Sequence, residues 1–149
     1  MKIVVDTNII FSALLNSNST IGDLLLNPDM YFEFYSCNYM RYEIQKHWER
    51  LKKISKLSDE QLEVSYSLIL SRLKFINEEI IPLETWLSAE QIAKGIDTDD
   101  IDFVALTKFL RATLWTGDKT LYNGLKKANF KKVVNATELF ALCVIKGKK

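Results

Sequence analysis

Three acidic positions carry most of the chemistry open to this sequence. Ile3-Val4-Val5 is a β-branched run without polar alternation, the pattern of a parallel strand buried on both faces, and it stops abruptly at Asp6. Leu114-Trp115-Thr116-Gly117-Asp118 repeats the arrangement, an apolar strand followed by an acid. Asp97, Asp99, Asp100 and Asp102 form a cluster at the start of an apolar helix pattern. Glu43 is a fourth candidate, in the first half of the helix after the second strand. Open α/β sheets bind ligands at the carboxyl ends of their strands, where Asp6 and Asp118 fall. If strands one and four are neighbours, these two acids lie side by side.

Crowded carboxylates repel and raise one another's pKa unless a cation neutralises them. Hard oxygen donors suit Mg²⁺ or Mn²⁺ rather than Zn²⁺, and no Cys or His cluster competes for a softer metal. Such an ion acidifies water and clamps a phosphodiester oxygen, so hydrolysis of a phosphate ester is the chemistry that fits best. The chain has a single histidine, His47, which excludes a histidine cluster. Each acid also has a simpler reading. Asp is a good N-cap, and Asp6 and Asp118 each precede a helix. Helix N-termini attract acids such as Asp97 to Asp102. Glu43 can be a surface acid. Asn8 is either an ordinary helix-start residue or one that orients a ligand carboxylate.

The positioning elements follow from periodicity. Helices are expected over Asn8 to Leu15 and Thr20 to Leu26, and a second strand over the aromatic stretch Tyr31 to Tyr35. Asn38 opens a helix to about Lys53 with Met40, Ile44, Trp48 and Leu51 along its apolar stripe. Ser58-Asp59-Glu60-Gln61 is a capping box for a helix to about Leu73. Phe75 to Ile81 supplies a third strand, and Ser88-Ala89-Glu90-Gln91 a second capping box for a helix ending near Gly95. The acidic cluster leads into a helix to Leu110, Thr113 to Thr116 is the fourth strand, and Asp118 opens a helix to about Ala128. A short fifth strand lies within Phe130 to Val134, and Asn135 or Thr137 caps the last helix. This alternation argues for a parallel sheet with helices on both faces.

Within the helix before Leu110, Phe103, Leu106, Thr107 and Leu110 make the inward stripe. At about 100° per residue, Asp99 falls within about 40° of Phe103, Asp100 lies on the side of the same face, and Asp102 is displaced by about 100° to the other flank. Asp99 and Asp100 can both face the sheet's carboxyl edge, and Asp99 is also placed to cap.

The 149 residues fit one domain, 1–149, with 48% hydrophobic residues to build a core. Twenty basic and nineteen acidic residues nearly cancel, so overall charge neither demands nor excludes nucleic acid. Arg41, Lys46 and Arg50 surround Glu43, and Lys119, Lys126 and Lys131 follow Asp118; they form either a rim for a phosphate backbone or solvated helix faces. Trp86, Trp115 and Tyr122 are candidates for base stacking, with Trp115 better explained as core. Cys37 and Cys143, far apart, read as reduced thiols of a cytoplasmic protein. No apolar run approaches the roughly 20 residues of a membrane span.

Taken in order, Val-Val-Asp6-Thr7-Asn8, Arg41-Tyr42-Glu43-Ile44, Asp97-Thr98-Asp99-Asp100-Ile101-Asp102-Phe103-Val104-Ala105-Leu106 and Leu114-Trp115-Thr116-Gly117-Asp118 resemble the motifs of PIN-domain proteins. The resemblance covers almost the whole chain and rests on order and spacing, no single motif being specific. It implies a three-layer α/β/α sandwich with a central parallel five-stranded sheet in the order 3-2-1-4-5. It implies a Mg²⁺- or Mn²⁺-dependent endoribonuclease acting on single-stranded RNA. By position Asp6, Glu43, Asp100 and Asp118 match the acidic quartet, with Asp6, Asp100 and Asp118 as metal ligands. Asn8, Thr116, Asp99 and Asp102 stand in support. Many such proteins are toxins with an antitoxin partner while others stand alone, and a homodimer is a further partner open to this chain. The alternatives are a catalytically weak nucleic-acid-binding module and a nuclease acting on DNA. A phosphate-receiving signalling domain or an aspartyl phosphatase would want a second acid beside Asp6, where this chain has Thr7 and Asn8.

Overall fold

A computed structural model describes residues 1–16, 18–26, 31–96 and 101–147, with side chains to residue 145. Five parallel strands run in the order β3-β2-β1-β4-β5. They are β1 (Lys2–Val5), β2 (Glu33–Cys37), β3 (Leu73–Ile76), β4 (Thr113–Trp115) and β5 (Val133–Val134). Helices cover both faces, giving the expected α/β/α sandwich: α1 (Thr7–Leu15), α2 (Thr20–Leu26), α3 (Asn38–Lys46), α4 (Trp48–Ser55), α5 (Asp59–Leu70), α6 (Leu83–Ile92), α7 (Ile101–Leu110), α8 (Lys119–Lys127) and α9 (Ala136–Gly147). No single helix among the described residues is long and apolar enough to cross a membrane.

The centre of the sheet is as apolar as its sequence demands. Ile3, Val4 and Val5 are wholly buried, as are Leu114 and Trp115, whose ring lies 5.9 Å from that of Phe34. Val5 is in register with Trp115, so the residues that follow them, Asp6 and Thr116, emerge together at the carboxyl edge.

Several boundaries depart from expectation. β2 begins at Glu33, not Tyr31, and continues through Ser36 and Cys37, both buried. Its start is set by pairing with β1, where the Glu33 amide donates to Met1 O at 2.9 Å. β3 ends at Ile76 because Asn77 turns the chain into a 3₁₀ turn, Glu78–Ile80, its side chain accepting from the Glu79 amide. The helix predicted from Asn38 to Lys53 is two helices, broken where His47 takes φ −106° and ψ 14°. Met40, Ile44 and Leu51 nonetheless stay buried on both sides of the break. Ser58 and Gln61 do form the reciprocal capping box of α5. Ser88 and Gln91 do not cap: α6 starts six residues earlier than that pattern suggests, at Leu83, behind Pro82 with φ −61°. Asn135 opens α9, with Glu138 returning a bond to its amide.

Candidate active site

Asp6 occupies the N-cap position of α1 without acting as its cap. Its backbone is extended, with φ −70° and ψ 152°, and its side chain makes no capping bond to the helix. Its amide donates to Trp115 O at 3.0 Å, which keeps the residue in the frame of the sheet. The carboxylate, with only 3% of the residue exposed, turns instead toward the loop after β4.

That loop is built to hold it. Thr116 Oγ1 donates to Asp6 Oδ2 at 2.7 Å. The same oxygen accepts from the Asp118 amide at 3.0 Å and from Asn8 Nδ2 at 3.3 Å, which uses the hydroxyl's one donor and both its lone pairs. Asn8 Nδ2 also reaches Asp6 Oδ2 at 3.3 Å, while Asn8 Oδ1 accepts from the Gly117 amide at 2.9 Å. The Gly117 contact fixes which way the Asn8 amide faces. Asn8 and Thr116 therefore both lie against Asp6.

Burial pushes the Asp6 carboxyl up to about 6 from 3.8, and the nearby charges of Glu43 and Asp118 push in the same direction. Hydrogen bonds from Thr116 and the Thr7 backbone only partly oppose them. A carboxylate of this kind is unfavourable as an anion until something positive joins it.

For Asp118 the capping reading is the one observed. It is the N-cap of α8, Oδ1 accepting from the amides of Thr120 at 2.9 Å and Leu121 at 3.2 Å. It is also close enough to Asp6 to raise its pKa. Glu43, half-buried on α3, is held by Thr7, whose Oγ1 donates to Glu43 Oε1 at 2.5 Å. Thr7 itself is buried. Sequence reasoning passed over Thr7; the available signal was a hydroxyl residue directly after Asp6, and it reads equally well as a helix start. It also missed Glu78, whose two carboxylate oxygens accept from the amides of Asn38 and Tyr39, each at 2.9 Å, pinning the start of the helix that carries Glu43.

Asp97, Asp99 and Asp100 lie outside the described residues. Asp102 is half-buried in the first turn of α7. Among the described residues no three His, Cys, Asp or Glu side chains come close enough to hold a metal. Glu43 and Asp118 nonetheless lie near enough to Asp6 for their charges to raise its pKa. Their all-oxygen donor set suits a hard divalent ion.

Other candidates fall away from this group. His47, at the α3–α4 junction, packs its ring edge-on to Phe11 at 5.7 Å. Trp115 is core. The Tyr122 hydroxyl donates to Glu138 at 2.8 Å. Lys52, in the basic stretch after Glu43, is engaged by Glu49 and Asp59 at 3.1 Å each.

The sequence matches the family model for the PIN domain over residues 4–138. The chain belongs to the PIN-domain family. Two solved structures share the PIN fold with it. One is VapBC2 from Rickettsia felis bound to a DNA fragment from its promoter, with a TM-score of 0.68 and 18% identity, covering 91% of this chain and 98% of that one. The other is FitAB bound to an IR36 DNA fragment, with a TM-score of 0.60 and 19% identity, covering 90% of this chain and 94% of that one. No curated protein matches the sequence significantly. PIN domains are generally nucleases and typically use divalent metals.

Proposed function

We propose that this PIN domain is an endoribonuclease that hydrolyses phosphodiester bonds of single-stranded RNA with Mg²⁺ or Mn²⁺. The observation that carries the reading is Asp6: a buried carboxylate, not used as a cap, oriented by Thr116 and Asn8 and crowded by Glu43 and Asp118. Asp6, Asp118 and, by family position, Asp100 would hold the metal, with Glu43 beside them.

When bound, the metal supplies positive charge at the phosphodiester oxygen and makes water more acidic. The rest falls to the chain. Thr116 and Asn8 hold Asp6 Oδ2, so the carboxylate keeps one orientation as charge builds next to it. Thr7 holds Glu43 Oε1, which orients that carboxylate as the base for the attacking water. The α8 N-terminus, capped by Asp118, keeps that carboxylate at the edge of the group. Lys119 and Lys126 follow Asp118 on α8 and would attract the phosphate backbone.

The likeness to the VapBC2 and FitAB assemblies supports a protein partner for this chain. With the family resemblance it supports a toxin paired with an antitoxin. The test is incubation of the purified protein with labelled single-stranded RNA and DNA of one sequence, with Mg²⁺, Mn²⁺ or chelator. Endonucleolytic cutting of RNA that stops in chelator is expected. Cutting that survives exhaustive chelation overturns the metal, and preference for DNA overturns the substrate.

A further inference from the structure

A second candidate site lies at the other end of the sheet from Asp6. A cavity of about 390 Å³ opens between α6, the last turn of α7 and the residues that lead into β4 and β5. Lys108, Arg111 and Lys132 bring three cations to its wall, Thr85 brings a hydroxyl, and Phe130 brings an aromatic ring. No acid lines it, and among the described residues none of the three cations is in an ion pair.

Helix electrostatics account for part of this. Lys108 and Arg111 stand at the carboxyl end of α7, where cations offset the helix dipole. Lys132 has no such reason to be there. It is placed by strand pairing, its carbonyl accepting from the Leu114 amide at 2.9 Å as β5 begins. Gathering it with the other two costs repulsion that an anion would remove.

The remaining wall says which anion. Thr107 is buried, with 1% of the residue exposed, and its hydroxyl is spent on Phe103 O at 2.7 Å, so it offers an occupant no polar contact. Thr85 is half-buried. Phe130 packs against the core while still lining the cavity, which presents part of its ring to an occupant. Inorganic phosphate would use the cations alone. An aliphatic acid would leave the ring unused. A nucleoside phosphate answers all three surfaces, with phosphate on the cations, base on Phe130 and a ribose hydroxyl at Thr85. The volume falls within the roughly 300–1,000 Å³ usual for small-ligand sites.

We propose that this cavity binds a nucleoside phosphate, either a free mononucleotide or the phosphorylated end of an oligonucleotide. The site is separate from the carboxylates at the opposite edge, and the proposal does not depend on the cleavage reaction.

Calorimetric titration of the full chain in chelator tests it, chelator removing any metal-bridged binding at Asp6. The titrants are AMP, adenosine, inorganic phosphate, and a dinucleotide with and without a terminal phosphate. AMP is expected to saturate one site per chain and to bind more tightly than either adenosine or phosphate. Lys132→Gln and Arg111→Gln, both at exposed positions, should each weaken AMP by about tenfold, the scale of one charge-assisted contact. Asp6→Asn should leave AMP binding unchanged. A phosphorylated dinucleotide that matches AMP identifies an RNA end as the natural source; one that fails to bind identifies the free nucleotide. Equal affinity for AMP and inorganic phosphate, indifference to Lys132→Gln, or loss of binding in Asp6→Asn overturns the proposal.

Discussion

Thr116 Oγ1 donates to Asp6 Oδ2 at 2.7 Å, joining two residues 110 apart in sequence and adjacent at the sheet edge. The pairing of Val5 with Trp115 makes the contact unavoidable, and the hydroxyl then serves Asn8 and the Asp118 amide as well. Thr116→Val keeps the shape and removes the hub. It should cost about 1–3 kcal/mol of stability, the scale of stranding buried polar partners. Metal-dependent cleavage should fall by at least about tenfold. Thr116→Ser should restore most of both. Thermal melts and cleavage rates of the two variants decide it, and a Val variant that cuts like the parent removes Thr116 from the site.

The parts of this site that sequence revealed are those where two signals overlap. Asp6 and Asp118 each end an apolar strand, and strand ends survive errors in helix boundaries. Thr7 and Glu78 were hidden because their partners, Glu43 and the start of α3, are distant in sequence and come near only through the packing of α1, α3 and the 3₁₀ turn. The fold was legible from the alternation of strands and helices, while its edges were not. Ser88 and Gln91 match a capping box by spacing alone, yet Pro82 had already set the backbone for α6. The aromatic Tyr31 drew the second strand two residues early, since pairing with β1 rather than side-chain type sets where β2 starts.

The raised Asp6 pKa fixes a pH dependence in metal-free protein. Folded Asp6 holds its proton up to about 6, whereas a carboxyl at 3.8 has already released it in the unfolded chain. The folded state binds more protons between those values, so stability falls as pH rises through the window. The difference amounts to about 3 kcal/mol, present below the lower value and gone above the upper one. Denaturant unfolding in chelator should show this slope. Asp6→Asn should flatten it and be the more stable protein at neutral pH, converging with the parent in acid. An unchanged slope in the variant would assign it to another group.

Thr7 and Glu43 should act as a unit. Thr7→Val removes the donor to Glu43 Oε1 without opening space. It should raise the Mn²⁺ concentration needed for half-maximal cleavage, and Glu43→Gln should do at least as much. The double variant should be no worse than Glu43→Gln alone, because the two changes break one interaction. Additive losses would show that Thr7 acts elsewhere. Thr7→Ser should behave like the parent.

The cap that Asp118 provides can be separated from the metal role proposed for it. Asn accepts the Thr120 and Leu121 amides as Asp does, so Asp118→Asn should keep the stability of α8 and lose cleavage. Asp118→Ala should lose cleavage and about 1 kcal/mol of stability as well. Retained cleavage in Asp118→Asn with loss only in the Ala variant would make Asp118 a cap and nothing more.

The acids ahead of α7 call for the finest discrimination. Of the expected stripe, Phe103, Leu106 and Thr107 are buried and Leu110 is half-buried, but Val104 and Ala105 are buried too, so α7 is enclosed on more than one side and its burial alone does not choose among the acids. Asp102 is fixed by a different observation. Burial pushes the Cys37 thiol up, and Glu78 and Asp102 add to it, which sets Asp102 near the carboxyl end of β2. The role proposed for it at the metal is an outer one, by way of water. Asp99 and Asp100 lie outside the described residues, so the choice between them rests on sequence, where the resemblance's spacing to Asp118 favours Asp100. Asp100→Asn should therefore lose most metal-dependent cleavage at every Mn²⁺ concentration. Asp102→Asn should be impaired at low Mn²⁺ and recover as Mn²⁺ rises. Asp99→Asn should lose little, since Asn caps a helix as well as Asp does. Rates of the three variants across one Mn²⁺ titration separate these outcomes. A dead Asp99→Asn beside an active Asp100→Asn would shift the register of this segment by one residue and move the ligand role to Asp99.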